Sequence, residues 1–333
     1  LKFTSFAVGG GTPLILDEGQ LEELFCLAEL FGVHPSRVFT SVETSPEYTQ
    51  KSVLRQLRAR GVERLSMGVQ SFNETELKKL KRRPGLGTVV GALENIVEAG
   101  FPQFNLDLIY GIEGQTVESF MRSLNTALTY RPNELFIYPL YVRPGTRIDV
   151  RSTDDIGYAI YKSARELLVG QGFVQTSMRR FVRRETTETE FSCGDEVMLS
   201  CGAGGRSYLG NLHYATPYAV RQQAIADEID HYIRTTDFMT AANGFLLSTE
   251  EMQIRFIIKN LMYHRGVDLA EYEKRFGEKP DRNLFREFTD RGWIEETGRI
   301  VRLTEEGMAY SDYIGQAFIS PVVRKLMSEY VYP

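Results

Sequence analysis

Cysteine is scarce in this chain, long apolar runs are missing, and positive charge is not in excess. Three cysteines (Cys26, Cys193, Cys201) in 333 residues form neither an even framework nor a close Cys-x-x-Cys pair. That excludes a disulfide scaffold and points to a reducing compartment, expected to be the cytoplasm. The longest apolar runs, such as Phe6-Ala7-Val8 and Asn105-Leu-Asp-Leu-Ile-Tyr110, are strand-sized. A membrane helix needs roughly 20 apolar residues, so neither a span nor a signal peptide is expected. A net charge of −5 supplies no basic field, and nucleic acid is not an expected partner.

What remains is an ordinary globular composition, 42% hydrophobic and 25% charged, long enough for a large domain plus a smaller one. The chain opens with Leu1 and not Met, directly into the strand pattern Lys2-Phe-Thr-Ser-Phe-Ala-Val8. A strand at the very start is expected to have lost an upstream neighbour.

Short runs rich in Val, Ile, Phe and Leu recur near 3–8, 38–43, 64–69, 104–110, 134–140 and, less clearly, 173–178, and read as strands. Between them the apolar spacing predicts helices from Asp17 to Gly32 and around 49–60, 88–99, 116–130 and 155–169. Gly61, Gly100 and Gly170 or Gly172 stand where helix ends favour a left-handed residue. Regular alternation implies parallel strands with crossover helices, and leaves an open doubly wound sheet and a barrel equally open. After about 180 a polar stretch, Arg183-Arg-Glu-Thr-Thr-Glu-Thr-Glu190, and a glycine-rich run, Cys201-Gly-Ala-Gly-Gly-Arg-Ser-Tyr-Leu209, read as a connector over 181–245. From Ser248, with a capping box to Glu251, the order helix, helix, hairpin, helix over 246–333 suggests a winged-helix-like module. Glu295, Glu296, Glu305 and Glu306 interrupt its basic residues and argue against a DNA role.

Polar residues with chemistry to offer fall toward the carboxyl ends of the strands, where barrel enzymes bind ligands. Gly9-Gly10-Gly11-Thr12-Pro13 bares backbone for a zwitterionic amino acid head. Glu43, Gln70 and Asp107 follow on the next three strands. His213 is the one histidine with the character of a ligand or proton donor. Ser177-Met-Arg-Arg-Phe-Val-Arg-Arg184 could face a carboxylated substrate, or form a strand edge with solvated arginines.

Together Gly9–Pro13, Val42-Glu43-Thr-Ser-Pro46, Arg64-Leu-Ser-Met-Gly-Val-Gln-Ser-Phe72, Asn105–Gly111 and Tyr138-Pro-Leu-Tyr-Val-Arg-Pro-Gly-Thr146 resemble the oxygen-independent coproporphyrinogen III oxidase group of radical S-adenosylmethionine enzymes. The resemblance is strong over about 1–150 and looser beyond. It implies an α/β fold, a partial (β/α)6 TIM-like barrel over 1–180 lacking its first strand, with a winged-helix-like C-terminal module. It also implies that Gly10, Gly11 and Thr12 contact the methionyl part of S-adenosylmethionine and that Glu43 orients it. Gln70, Arg82 and Asp107 match contacts to a second S-adenosylmethionine, with Tyr141 and Arg206 as weaker matches there. Arg82 lies in the charge run Lys78-Lys-Leu-Lys-Arg-Arg83, whose alternative reading is a solvated helix face.

In that group a Cys-x-x-x-Cys-x-x-Cys loop holds a [4Fe-4S] cluster whose electron splits S-adenosylmethionine into a 5′-deoxyadenosyl radical. No such triplet occurs in this sequence, so the chain by itself is expected to be inactive, with the ligands in a missing N-terminal segment. Cys193 and Cys201 are eight apart without a third partner, and are expected to pack as small apolar residues. The resemblance brings a flavodoxin- or ferredoxin-type electron donor and a small substrate, a tetrapyrrole or another organic molecule, as partners. It leaves three functions: oxidative decarboxylation of coproporphyrinogen, haem chaperoning, and radical methyl or methylene transfer. The chaperone pattern expects a His-Asn-x-x-Tyr-Trp type segment, where this chain has Glu190-Phe-Ser-Cys-Gly-Asp-Glu-Val-Met198.

Overall fold

The computed structural model describes residues 2–82, 85–141, 154–183, 197–217, 219, 221–241 and 243–330. Two compact units emerge: the described residues up to 141 with 154–175 and 179–183 form the first, and 176–178 with those from 197 onward form the second.

The first unit alternates strand and helix: β1 Ser5–Val8, α1 Glu18–Leu30, β2 Phe39–Thr44, α2 Lys51–Ala59, β3 Arg64–Gln70, α3 Glu74–Lys79, α4 Leu86–Ala99, β4 Gln103–Tyr110, α5 Val117–Thr129, β5 Glu134–Pro139, α6 Asp154–Gly170, β6 Phe173–Gln175 and β7 Arg180–Arg183. The helices start and stop where local chemistry dictates. Asp17 accepts from Gln20 N at 2.8 Å while the Gln20 side chain accepts from Asp17 N at 3.0 Å, a reciprocal cap. Gly100 closes α4 at φ 62°, and Gly61 and Gly172 take φ 88° and 86° after α2 and α6. Gly170, the other candidate, stays inside α6.

Strands β1 to β5 pair in parallel in the order of the sequence, β1-β2-β3-β4-β5. A doubly wound sheet reverses its strand order at a switch point, and no reversal occurs here, so the topology is that of a barrel-type β/α sheet. The sixth strand departs from expectation. β6 is not the neighbour of β5, because the chain turns straight back after Gln175 and β7 inserts antiparallel between them. Four residues separate β6 from β7, enough for a hairpin and far too few for a crossover helix. Among the described residues β1 and β6 remain the two edges of this sheet.

Alternate residues on the strands divide the sheet into two unlike faces. Val42, Leu65, Met67, Leu106, Leu108, Leu135 and Ile137 lie on one, each 2% exposed or less. The helices cover this face with their own apolar stripes, as in the edge-on contacts of Phe25 with Phe6 and of Phe120 with Tyr110. The other face is polar.

In the second unit β8 Val197–Met198, β9 Arg206–Leu209, β10 Leu212–Ala215 and, after α7 Gln222–Arg234, β11 Gly244–Leu246 form an antiparallel sheet in the order β11-β10-β9-β8. Then follow α8 Thr249–Leu261, β12 Val267–Asp268, α9 Leu269–Phe276, α10 Asn283–Asp290, β13 Ile294–Thr297, β14 Ile300–Leu303, α11 Glu305–Ala309, α12 Ser311–Ala317 and α13 Pro321–Glu329. The expected helix, helix, hairpin, helix order is extended: three helices, α8 to α10, precede the hairpin, α11 to α13 follow it, and β12 makes a three-stranded β12-β14-β13 sheet. Only half of the expected capping box at Ser248 forms. Ser248 accepts from Glu251 N at 3.2 Å, but the Glu251 carboxylate turns away to accept from the Ser320 hydroxyl. Among the described residues no helix is long and apolar enough to cross a membrane.

Leu106 is fully buried between its register partners Met67 and Leu135. Leu106→Ala is therefore expected to cost about 2–5 kcal/mol by leaving a cavity, read as a lowered urea midpoint with unchanged slope.

Candidate functional site

The polar face of the first sheet is assembled by register. Glu43 stands beside Ser66, Ser66 beside Asn105, and Asn105 beside Glu134, while Gly68, Asp107, Phe136 and Arg180 make the next row. Buried polar groups need partners, and these form a connected set. Glu134, 2% exposed, sits between two arginines, taking Arg64 Nε at 2.7 Å on one oxygen and Arg180 Nε on the other. Arg64 also donates to Ser41 Oγ at 2.9 Å. Asn105 donates its amide to both Ser66 Oγ and Asp107 Oδ1 at 2.7 Å, and its own Oδ1 is buried without a partner among the described residues.

Asp107 is the electrostatic centre of this face. Burial pushes its carboxyl up from 3.8 to about 7, opposed by the Asn105 hydrogen bond and the Arg64 charge and reinforced by Glu43 and Glu134. Tyr138, on β5, is also raised, by burial first and then by the Asp107 charge. Asp107 falls in the middle of β4 and not at its end, so it lies deeper in the face than its sequence position suggested.

At the strand ends the glycine run meets Glu43. Gly10 N donates to Glu43 Oε2 at 3.3 Å, and a Cβ on Gly9 would come within 2.9 Å of the Glu43 Cδ. Gly10 and Gly11 take φ 84° and 60°, and a Cβ on either would meet nothing within 4 Å. Their glycines thus serve backbone conformation, and the space beside them is open. Thr12 follows as the start of a short 3-10 turn, its carbonyl accepting from Ile15 N at 3.1 Å. Glu43 is the one exposed residue of β2.

Gln70 ends β3 at a bulge, with φ 72° for a residue that is not glycine. Its amide lies over Gly68, where a Cβ would come 2.5 Å from Nε2, so a side chain at 68 and this rotamer of Gln70 exclude each other. Arg82 is exposed just beyond α3, and among the described residues no hydrogen bond or ion pair ties it to Glu43, Gln70 or Asp107. Tyr141, half exposed, accepts from Arg179 Nη2 at 2.5 Å. Residues 142–146 of its motif lie outside the described residues.

Arg206 and His213 belong to the second unit, on β9 and β10. His213 stacks on Tyr208 at 4.1 Å between centroids and meets the edge of Phe245 at 5.1 Å. Its Nε2 is buried without a partner among the described residues, and burial, with Arg255 and Arg206, holds the ring below the usual histidine range. The arginine run 179–184 is not simply a solvated edge. Arg180 is buried against Glu134, and Arg183 covers the Phe173 ring at 4.6 Å. Cys201 is exposed in the turn after β8, not packed as a small apolar residue, and Cys26 is exposed on α1. Cys193 and the polar stretch 184–190 lie outside the described residues. No group of three His, Cys, Asp or Glu among the described residues could hold a metal.

Ser41, Arg64, Ser66, Asn105 and Glu134 were not singled out in the sequence reading, and Arg180 was named there only within the run Ser177–Arg184. The signal was available: parallel strands buried on both faces run continuously apolar, whereas β3 and β4 interleave Arg64, Ser66, Asn105 and Asp107 with their apolar residues.

The fold and site can now be set beside known proteins. Residues 2–127 match the Radical SAM superfamily model, and residues 247–310 match the HemN C-terminal domain. The heme chaperone HemW of Bacillus subtilis (strain 168) is 27% identical over 334 residues, covering 94% of this chain and 84% of its own. The oxygen-independent coproporphyrinogen III oxidase of Salmonella typhimurium is 35% identical over 292 residues, covering 81% of this chain and 62% of its own. The solved coproporphyrinogen III oxidase (HemN) from Escherichia coli superposes with a TM-score of 0.77 at 22% identity, covering 95% of this chain and 77% of that one. The class is therefore that of the radical SAM proteins with their TIM-like β/α fold. Within it, the C-terminal domain and the HemN and HemW relatives place the chain in the HemN/HemW-like branch.

A raised carboxyl at Asp107 means that the folded protein holds a proton between about pH 4 and pH 7 that the unfolded chain has lost. Its contribution to stability is complete below the unfolded value and is lost as pH rises through about 7. Asp107→Asn, which cannot ionise, is expected to lose less stability than the wild type between about pH 5 and pH 8, measured by urea unfolding at both values.

Proposed function

We propose that this chain forms the S-adenosylmethionine-binding barrel of a radical enzyme acting on a tetrapyrrole or another small organic substrate. The observation that carries the reading is the meeting of the open Gly9–Gly11 backbone with the Glu43 carboxylate at the mouth of a polar inner face. An amino acid head group is a zwitterion. Its ammonium suits the exposed Glu43 carboxylate, and its carboxylate suits the bare amides of Gly11 and Thr12. The unpartnered Asn105 Oδ1 offers a further buried acceptor. In this proposal Gln70, Arg82 and Asp107, with Tyr141, hold a second cofactor molecule or the substrate. We further assign 1–180 to the barrel, 181–245 to a connector and 246–333 to the C-terminal module, with β7, Arg180–Arg183, crossing the first of these boundaries.

S-adenosylmethionine held there would supply radical chemistry for taking a hydrogen atom from the substrate, on one-electron reduction with release of methionine. The chain's own residues bind and orient. Asp107, balanced between its two forms near neutrality, can take or return a proton at its carboxyl. The described residues offer no ligand set for a [4Fe-4S] cluster. Reduction would fall to a flavodoxin- or ferredoxin-type donor.

A second reading, a haem carrier without turnover, is favoured by the length of the match to the Bacillus chaperone, 94% of this chain against 81% for the Salmonella oxidase. Two measurements separate the readings. Calorimetric titration with S-adenosylhomocysteine is expected to show binding that Glu43→Ala weakens by about tenfold, the worth of one hydrogen bond to a charged group. Supplied with the cysteine loop that the resemblance implies and with a cluster reconstituted on it under anaerobic conditions, the protein is then expected to form 5′-deoxyadenosine only when coproporphyrinogen III or another substrate is added. Stoichiometric haem binding with no substrate-dependent 5′-deoxyadenosine would instead establish the carrier.

A further inference from the structure

Away from the strand ends, one carboxylate organises the segments that carry the candidate cofactor contacts. Glu76, on α3, is 4% exposed, and its oxygens are taken by neutral donors. Ser71 Oγ donates to Oε2 at 2.6 Å, Gln115 Nε2 to the same oxygen at 2.9 Å, and Ser119 Oγ to Oε1 at 2.6 Å. A carboxylate accepts only, and its two oxygens offer about four lone-pair directions, which suits it to gather several donors at one point.

Each donor fixes a different segment. Ser71 follows Gln70 directly, and its hydroxyl also accepts from Asn73 N at 2.9 Å. Gln115, held by Glu76, uses its own Oε1 to accept from Gly111 N at 2.8 Å and Ile112 N at 3.4 Å, which shapes the loop leaving β4. Ser119 belongs to the first turn of α5, and Ser123 one turn on accepts from Phe72 N at 3.1 Å. The far end of α3 is anchored as well: Lys79 Nζ donates to Glu113 O at 2.6 Å, and Leu80 packs with Ile112 and Leu140. Gln70 sits at φ 72°, a conformation that persists only where the surroundings impose it. Arg82 is two residues beyond Leu80.

We propose that Glu76 is a positioning residue that holds Gln70 and Arg82 in register with the β4 loop, and so sets the affinity for the cofactor. The proposal rests on the assignment of Gln70 and Arg82 to cofactor binding made above. Glu76 touches neither cofactor nor substrate. It acts through Ser71 on the strained end of β3, and through α3 on the segment that leads to Arg82.

The conservative variant Glu76→Gln should keep the network. Its carbonyl can accept from Ser71 and Gln115, while its amide donates to Ser119, whose hydroxyl proton turns to Thr116 O, already 3.1 Å away. Glu76→Ala leaves three buried donors unsatisfied and threatens the fold, so Ser71→Ala, which removes the link from Glu76 to the end of β3 together with that hydroxyl's contacts to Asn73 N and Ser123 Oγ, is the decisive variant.

The readouts are S-adenosylhomocysteine affinity by calorimetry, thermal midpoint, and amide hydrogen exchange. Ser71→Ala is expected to weaken binding by about tenfold with little change in midpoint, and to speed exchange at Phe72 and Asn73. Glu76→Gln is expected to bind within about twofold of the wild type. Wild-type affinity in Ser71→Ala, with affinity lost in Gln70→Ala, would overturn the role of Glu76 and leave the cofactor assignment standing. Wild-type affinity in Gln70→Ala would overturn the assignment, and the proposal with it.

Discussion

The architecture of the first unit depends on Glu134 holding Arg64 and Arg180 together on the inner face of the sheet. Two guanidinium groups, 12% and 9% exposed, cannot be kept from water without a counter-charge, and the carboxylate between them is 2% exposed. The triad spans three strands, β3, β5 and β7. It therefore ties the late hairpin strand to the parallel core, at the place where the regular alternation of strand and helix gives way. A polar inner face is thereby made tolerable, and the rest of the site follows from it. Ser41 satisfies the remaining reach of Arg64, and the Arg64 charge moderates the ionisation of Asp107.

Two kinds of order meet in this unit. The helix-facing side is bought by apolar burial, with residues such as Leu65, Met67 and Leu106 fully enclosed. The inner side has little to gain from burial and is held by hydrogen bonds and charge. That division suits a protein of the radical SAM class, which must present a polar, shaped interior to a charged cofactor while the scaffold around it stays rigid. At the mouth the backbone takes left-handed φ at the glycines beside Glu43 and at Gln70, a conformation that Lys81 and Arg131 also adopt elsewhere in the unit.

Much of this was legible in the sequence. The alternation of strand runs and helical spacing located five of the parallel strands and most of the helices, because side-chain periodicities of 2 and 3.6 are properties of the local chain. Glu43 against Gly9–Gly11 was legible too, since a glycine run and an acidic residue each stood at the end of a strand run. Arg82 and the second-unit residues Arg206 and His213 were less so. His213 ends in an aromatic cluster of Tyr208 and Phe245 on neighbouring strands, a set assembled by antiparallel register and not by sequence spacing.

The sequence by itself determined the β/α class, the helix caps and the family motifs, each of which depends on residues within a few positions of one another. Only the tertiary structure decided that the sheet runs in barrel order, that β7 inserts beside β5, and that Glu134, Asn105 and Glu76 are the centres of its polar networks. The physical reason is distance along the chain. Arg64 and Glu134 are 70 residues apart and Glu76 and Ser119 are 43 apart, and pairings of that separation are set by strand order and packing, which no local pattern encodes.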